Sequence, residues 1–324
     1  MGKTEDVIME YLSQPDIMAD LFNGYVFCGE QIIQPDMLRE VDSKGRLLLE
    51  DGKGQKHTYE VIKKERDIVR EVTINNKKLR LMICGVEQQT NVDYSMPLRV
   101  LAYDTLEYLK QAKQIEQEHK RKKDVSGKEF LSMFTKEDKL TPTITIVFYT
   151  GKESWDGAMD LDGLFENLEG LELLLPYMVK APLNVLHLYD VKNTYRYRSS
   201  LKKIFDLMPF TEDGNALKQY VNKHEEVYSH IDSAASRVLS LLLDLDLSVQ
   251  SRDEERKGEN NVCEAIRQIK EEGRMEGRAE GKAEGKAEGM ALAYNEMGLS
   301  PEEIAERIGI TLQEVEKYLS QLQS

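Results

Sequence analysis

Three oxygen-bearing side chains, those of Asp67, Glu87 and Gln89, stand at the ends of two strand-like runs and are the residues best placed to do chemistry. Asp67 opens the run DIVREVTI, Glu87 follows the apolar run KLRLMICGV, and an Asn-Asn pair between the runs predicts a hairpin turn. A turn centred just after Asn76 sets Asp67 opposite Val86 and diagonal to Glu87, because opposed residues of an antiparallel pair follow a fixed register. The sequence therefore predicts two carboxylates at one end of a sheet.

These carboxylates and the amide have the chemistry of a site for a hard cation. Glu87 and Gln89 point to the same face of a strand, about 6 to 7 Å apart. Two carboxylates so close repel each other unless they are protonated or bridged by a cation, and oxygen ligands suit Mg²⁺ or Mn²⁺. A cation held there could polarise a phosphate and lower the pKa of an attacking water. Alternatively, Asp67 begins one strand and Glu87 ends another in contact with solvent, without a metal.

The elements that position these residues alternate between strand and helix periods. Five segments have the alternation of strands, at 57–64, 67–74, 78–87, 141–151 and 183–191. Helical spacing occupies 93–122, and two short helices are predicted within 5–25, separated by a break at residues 14–16. The run at 78–87 is apolar on both faces near its centre, which predicts a central strand of an α/β sheet layered between helices. Beyond about residue 197 no segment has a strand period.

The composition excludes several classes of protein. The chain has 324 residues, a formal charge of −14 and 31% charged residues, which predicts a soluble protein. The acidic balance excludes a globally basic nucleic-acid binder, so contact with DNA would depend on local patches. Three scattered cysteines without CxxC spacing fit a reducing compartment and give no zinc or disulfide framework. The N-terminus lacks the apolar core of a secretory signal, so a cytoplasmic protein without membrane contact is expected.

Several motifs occur in a characteristic order along residues 1–250. Asp67 is followed by the Glu-x-Gln of residues 87–89 at the end of an apolar strand, and then by VDYSMPLRVLAYD entering a helix. Other stretches of the same kind are SQPDIMADLFNGYVF, RDIVREV and TPTITIVFYTGKESWDG. This order resembles the recombination-promoting nuclease family, whose members are also described as transposases and are similar to the PD-(D/E)XK nucleases. The resemblance implies a restriction-endonuclease-like fold, a mixed sheet flanked by helices, over residues 1–250.

The resemblance also implies roles for single residues. Asp67 and Glu87 would be metal ligands, with Mg²⁺ or Mn²⁺ as the cofactor, and Gln89 occupies the place of the superfamily's lysine. This is a departure from the pattern, because a neutral amide orients by hydrogen bonds whereas a lysine stabilises the charge of the phosphate. Arg99 is predicted to supply that charge as a catalytic group, or else to form a salt bridge on the helix surface. Asp20 resembles an extra acidic metal ligand of some family members, or is an ordinary exposed helix carboxylate.

A basic and aromatic stretch, KNTYRYRSSLKK at 192–203, is the best candidate for contact with the backbone of double-stranded DNA. The candidate DNA-binding residues in it are Lys192, Arg196, Arg198, Lys202 and Lys203. The alternative is the solvated start of a helix. Trp155, the single tryptophan, is predicted to be a packing lid rather than a platform on which bases stack.

The segment at 251–297 contains a four-residue repeat with five glycines, from Gly273 to Gly289. A glycine costs about 1 kcal/mol in a helix, so a helical repeat needs a compensating interaction. One interpretation is a groove on which a second helix packs closely, which would make the chain a homo-oligomer. The other interpretation is a charged spacer.

The last segment, 298–324, has the local signals of a helix-turn-helix. Ser300 with Glu303 and Thr311 with Glu314 form two capping-box patterns, and Gly309 lies at the corner between the helices. The second helix offers acidic residues that disfavour phosphates, so packing or oligomerisation is preferred over recognition of DNA.

Two functions from different classes follow from these patterns. The leading hypothesis is a magnesium-dependent DNA endonuclease that hydrolyses phosphodiester bonds, in recombination or in the processing of mobile elements. The alternative is a non-catalytic DNA-associated or oligomerising protein that retains the nuclease fold, which the acidic charge and the missing lysine would permit.

Overall fold

A computed structural model describes residues 3–41, 47–50, 56–59, 68–86, 92–127, 132–166, 169–170, 172–245 and 259–320. The chain divides into two compact units, Met1–Val262 and Cys263–Ser324. The first unit contains a mixed sheet with helices, and the second contains helices alone among its described residues. Among the helices described, none has both the length and the apolar character that a membrane span requires.

The first unit opens with two helices, α1 (Lys3–Leu12) and α2 (Pro15–Tyr25). Pro15 is the first residue of α2, where its fixed φ angle favours the start of a helix and its missing N–H removes no hydrogen bond. The predicted break between the two helices is confirmed, but it consists of Ser13 and Gln14, because Pro15 and Asp16 already belong to α2. Most apolar residues of both helices are buried, and Leu12 and Phe22 are fully so.

The main sheet has five strands, in the order β1, β4, β5, β6, β7. Their bounds are Arg39–Glu40 for β1, Ile68–Ile74 for β4, Lys77–Val86 for β5, Thr143–Tyr149 for β6 and Asn184–His187 for β7. The pairs β1–β4 and β4–β5 are antiparallel, whereas β5–β6 and β6–β7 are parallel. The protein is thus a mixed α/β protein, and the prediction that β5 is a central strand is confirmed. A separate hairpin pairs β2 (Leu47–Glu50) with β3 (Lys56–Tyr59).

The turn between β4 and β5 corrects the predicted register. Asn75 and Asn76 both have positive φ angles, of 50° and 62°, as a two-residue hairpin turn with the twist of the strands requires. Ile74 therefore pairs with Lys77, and the ladder continues to Ile68 opposite Ile83. The predicted register, which sets residue 67 opposite Val86, differs by two residues from the described ladder, because the turn is centred between the two asparagines and not after Asn76.

Helix α3 (Met96–Lys122) covers one face of the sheet. Met96 and Val100 pack with Val147 and Tyr149 of β6, and Tyr103 packs with Met82 of β5 and Val69 of β4. A largely buried ion network joins α3 to β4 and β5. The Arg80 guanidinium on β5 lies 3.1 Å from the Glu71 carboxylate on β4 and 3.3 Å from the Glu107 carboxylate on α3. Helix α3 is in this way fixed over the hairpin.

The rest of the first unit is mainly helical. Its helices are α4 (Ser200–Leu207), α5 (Gly214–Lys223), α6 (Glu225–Tyr228) and α7 (Ser233–Leu243). The expectation that no strand follows residue 197 is wrong, because β8 (Ile231–Asp232) pairs with β9 (Glu259–Asn260). Strands of two residues are too short to carry an alternating pattern, so no periodicity could predict them.

The second unit contains α8 (Val262–Glu296) except its first residue, together with α9 (Pro301–Ile308) and α10 (Leu312–Ser320). Its core is formed by Ala291, Ile304 and Val315, one residue from each helix. The predicted caps are confirmed: Glu303 accepts from the Ser300 N–H at 2.8 Å, and Glu314 accepts from the Thr311 N–H at 2.7 Å. The predicted corner at Gly309 has a φ angle of 78°, which a glycine adopts without strain.

Candidate nucleic-acid and metal site

The residues of the predicted metal site, Asp67, Glu87 and Gln89, lie outside the described residues, but Ile68 next to Asp67 and Val86 next to Glu87 are described. Ile68 is the first residue of β4 and Val86 is the last residue of β5. Because β4 and β5 are antiparallel, the beginning of one and the end of the other lie at the same edge of the sheet. The predicted site therefore adjoins this edge, which is also the edge where β6 and β7 end.

The observed register sets a condition on any shared cation. Ile68 pairs with Ile83 of β5. Val86 lies three residues beyond Ile83, about 10 Å along the strand at ordinary strand rise, and pairs with Tyr149 of β6. The two carboxylates can share an ion only if a bend or bulge next to Ile68 or Val86 shortens this separation. The donor set of two carboxylates and an amide oxygen fits Mg²⁺ chemically. Within the described ranges, no group of three or more His, Cys, Asp or Glu residues is arranged to hold a metal.

Arg99 lies in the first turn of α3 and is held by two partners. Its Nη1 atom donates to Asp93 Oδ2 at 2.5 Å, and its Nη2 atom donates to the Tyr103 hydroxyl at 3.3 Å. Partial burial raises the pKa of Asp93, but hydrogen bonds from Ser95 and Arg99 outweigh this effect and lower the pKa below its ordinary value. The alternative of a salt bridge for Arg99 is confirmed. The Arg99 guanidinium is therefore anchored to Asp93, in the segment between β5 and α3, and the Asp93 carboxylate partly compensates its charge.

Asp20 is buried, so its interpretation as an ordinary exposed carboxylate is wrong. Its oxygens accept from the backbone N–H groups of Arg198 and Ser199 at 2.8 to 3.0 Å, and from the Ser199 hydroxyl at 2.6 Å. These hydrogen bonds join α2 to the residues just before α4. A metal bound by Asp20 would have to compete with these four hydrogen bonds. A structural role for Asp20, in contrast, accounts for all four.

The basic stretch at 192–203 forms a short 3₁₀ turn and then the first turn of α4. Several of its cations have partners: Lys192 pairs with Asp190, Lys202 with Asp206, and Lys203 donates to the His230 carbonyl. Arg198 is exposed. Arg196 lines a cleft of about 250 Å³ between α2 and the segment from β7 to Tyr197. The stretch thus combines the start of a helix with an exposed basic surface, so the two predicted features, a solvated helix start and a basic surface for DNA, occur together.

Trp155 packs against the sheet, as predicted for a lid. Its ring meets the Tyr149 ring edge to face at 5.2 Å, and its Nε1 atom donates to the Gly157 carbonyl at 3.0 Å. A ring engaged on one edge and one face has little surface left on which a base could stack.

Sequence reasoning missed a group of polar side chains at the ends of β6 and β7, namely Lys152, His187 and Tyr189. Lys152 directly follows the strand predicted at 141–151, which was an available signal, whereas His187 and Tyr189 lie within the strand predicted at 183–191, whose end the structure places at His187. The polar ends of parallel strands are brought to one edge of the sheet, where α/β proteins bind their ligands. Comparison with models of protein families, with curated proteins and with solved structures finds no match to this chain.

Proposed function

We propose that this protein is a magnesium-dependent DNA endonuclease in which Asp67 and Glu87 are the metal ligands. The observation that supports this most is the position of β5 at the centre of a mixed sheet. Its carboxyl end leads directly to the Glu-x-Gln motif and is aligned with the carboxyl ends of β6 and β7. A mixed sheet flanked by helices is also what the resemblance to the PD-(D/E)XK nucleases implies.

The residues of the chain have separate tasks in this proposal. Asp67 and Glu87 hold the cation, and Gln89 orients the attacking water or the phosphate by hydrogen bonds. Arg99 stands at the beginning of α3, held by Asp93, and offers positive charge near the phosphate. Asp20 fixes the backbone of the basic stretch that contacts DNA. When bound, magnesium polarises the phosphate and lowers the pKa of water.

The experiment that tests the proposal is a nicking assay with supercoiled plasmid. The purified full chain is incubated with magnesium, with manganese, or with a chelator, and the products are separated on an agarose gel. We expect nicked or linear product with either metal and none with the chelator. Intact plasmid under all conditions, from protein shown to be folded by circular dichroism, would leave the non-catalytic alternative in place.

A second role, self-association, is favoured by the form of α8. The repeat lies within one continuous helix, and Cβ atoms added at Gly281, Gly285 or Gly289 would meet nothing within 4 Å. Among the residues that the structure describes, no other part of the chain therefore covers these three glycines. Because successive residues of a helix are about 100° apart, the repeat places glutamate, glycine, basic and alanine residues in four separate rows.

The order of these rows favours a parallel pair of helices. If two copies meet along the glycine row, Glu284 and Glu288 flank it on one side, and Lys282 and Lys286 flank it on the other. In a parallel pair related by a two-fold axis, the acidic flank of each copy faces the basic flank of its partner. An antiparallel pair would bring like charges together. We propose a parallel homo-oligomer through α8.

Replacing Gly281, Gly285 and Gly289 together with leucine should weaken this assembly, because bulk is inserted where the backbones approach. Leucine favours the helix over glycine by somewhat less than the roughly 0.8 to 1 kcal/mol that separates alanine from glycine, so helix stability and assembly should change in opposite directions. Light scattering measures the mass of the native chain and of the leucine variant. A matched variant with alanine at the same positions should keep more of the assembly. Equal masses for all three proteins would identify the repeat as a spacer.

A further inference from the structure

The carboxyl ends of the three parallel strands form one row across the sheet. Val86 of β5 pairs with Tyr149 of β6, and Tyr149 pairs with His187 of β7. The chain after Val86 carries the Glu-x-Gln motif, and the chains after Tyr149 and His187 carry Lys152 and Tyr189. Lys152 and Tyr189 therefore leave the sheet at the same edge as the proposed catalytic motif.

Aromatic contacts and one hydrogen bond fix the two loops to each other. The Tyr149 ring lies 4.9 Å from the His187 ring, and His187 Nε2 lies 2.7 Å from the Gly151 carbonyl oxygen. Since a carbonyl only accepts, Nε2 carries the proton. A Cβ atom at Gly151 would lie 2.1 Å from the Tyr149 hydroxyl, so this close approach requires glycine. The backbone immediately before Lys152 is therefore held in a defined place.

The side chain of Lys152 is available to an incoming anion. Its Nζ atom lies 2.5 Å from Glu212 Oε1, and the two side chains are 57% and 75% exposed. Ion pairs as exposed as this contribute little to stability, because water solvates both charges almost as well. Lys152 can therefore exchange the Glu212 carboxylate for another anionic oxygen without unfolding any part of the protein.

Tyr189 provides a second donor at the same edge of the sheet, two residues after the end of β7. Its hydroxyl is buried and has no hydrogen-bond partner within the described part of the chain. Burial raises the pKa of Tyr189, while the charge of Lys152 lowers it and the charge of Glu212 raises it. Buried hydroxyls in native proteins are nearly always hydrogen-bonded, which makes this one a donor that lacks its acceptor.

We infer that Lys152 and the Tyr189 hydroxyl bind a phosphate of nucleic acid at this edge of the sheet, and that Glu212 occupies Lys152 when nucleic acid is absent. The inference rests on the proposed function. In it, Lys152 supplies the positive charge that the superfamily's lysine would supply and that Gln89 lacks. Lys152 acts by contact with the phosphate and needs no metal for that contact. DNA binding without divalent ions is therefore the direct readout.

The experiment measures fluorescence anisotropy of a labelled DNA duplex with the full chain in a chelator, as a function of salt. Lys152→Ala should weaken binding about eightfold at about 0.1 M salt and lower the slope of log affinity against log salt by about 0.9, the loss of one phosphate contact. Glu212→Gln should tighten binding, and it should have no effect when Lys152 is already alanine. Tyr189→Phe should weaken binding while the melting temperature is unchanged or higher, because a buried hydroxyl without a partner is removed.

The matched control is the exposed ion pair of Lys136 and Glu137, which lies in the loop before β6, at the other end of that strand. Lys136→Ala and Glu137→Gln change the net charge by the same amounts as the test variants but should alter affinity much less. If Lys136→Ala matches Lys152→Ala, or if wild-type protein binds no duplex, the inference is overturned.

The same proteins separate this inference from the nuclease proposal. Loss of affinity in Lys152→Ala, with no nicking by wild type in magnesium, would retain the phosphate site and reject the nuclease. Nicking by wild type, with duplex affinity unchanged in Lys152→Ala, would retain the nuclease and reject the phosphate site.

Discussion

Asp67→Asn and Glu87→Gln are each expected to abolish magnesium-dependent nicking of plasmid DNA, with a rate at least about 100-fold below that of wild type. Even groups that only orient metal ligands change activity by about 10- to 100-fold, so loss of a ligand should cost more. A single carboxylate supplies too few oxygens to hold a hydrated cation firmly. The rate of nicking and the affinity for manganese, measured by calorimetry, should therefore fall together.

The control for these variants is Glu153→Gln, which neutralises an exposed carboxylate in the loop after β6. It should keep both nicking and manganese affinity. Thermal unfolding followed by circular dichroism would establish that all three variants fold. Unchanged manganese affinity in Asp67→Asn and Glu87→Gln would remove the metal site from this position, whatever happens to nicking.

Asp20→Ala should lower the free energy of unfolding by about 3 kcal/mol, measured by chemical denaturation in a chelator. The variant leaves the N–H groups of Arg198 and Ser199 without their acceptor in a partly buried place, and hydrogen bonds to a charged group contribute about 1.5 to 3 kcal/mol. Asp20→Asn keeps one carbonyl oxygen and should lose less. Because no metal is present, the expected loss of stability is independent of metal ligation.

The matched control is Asp16→Ala in the first turn of the same helix, where the carboxylate is exposed. This change removes only a favourable interaction with the helix dipole, about 0.3 to 1 kcal/mol. If Asp20→Ala unfolds like wild type in chelator but binds manganese more weakly, then Asp20 is a metal ligand and its hydrogen bonds contribute little.

Much of the fold was predictable because it follows from local patterns. The proline at residue 15 ends one helix and begins the next, and the runs that became β5, β6 and β7 carry strand alternation or continuous apolar character. The caps at Ser300 and Thr311 join residues that are three apart in the sequence, so the local sequence pattern alone predicts them. These predictions required no knowledge of tertiary structure.

The remaining features depend on contacts between distant parts of the chain. The partners of Asp20 lie 178 and 179 residues away, so no local pattern distinguishes it from an exposed helix carboxylate. The proximity of Lys152 to Glu212 likewise depends on how the helices after β7 return to the sheet. For the hairpin, the period of two fixes which face each residue occupies, but a shift by two residues preserves every face.

Arg80 distinguishes between two such alignments of β4 and β5. In the observed ladder its direct cross-strand partner is Glu71. A slip by two residues would set Arg80 opposite Thr73 and Glu71 opposite Met82, with every apolar side chain still on its own face. Removing one partner of a buried ion pair costs about 3 to 5 kcal/mol, and here the side chains of Arg80 and Glu71 are only 11% and 16% exposed. The ion pair thus selects the observed register over the register shifted by two residues. Its effect is on the specificity of strand pairing more than on net stability.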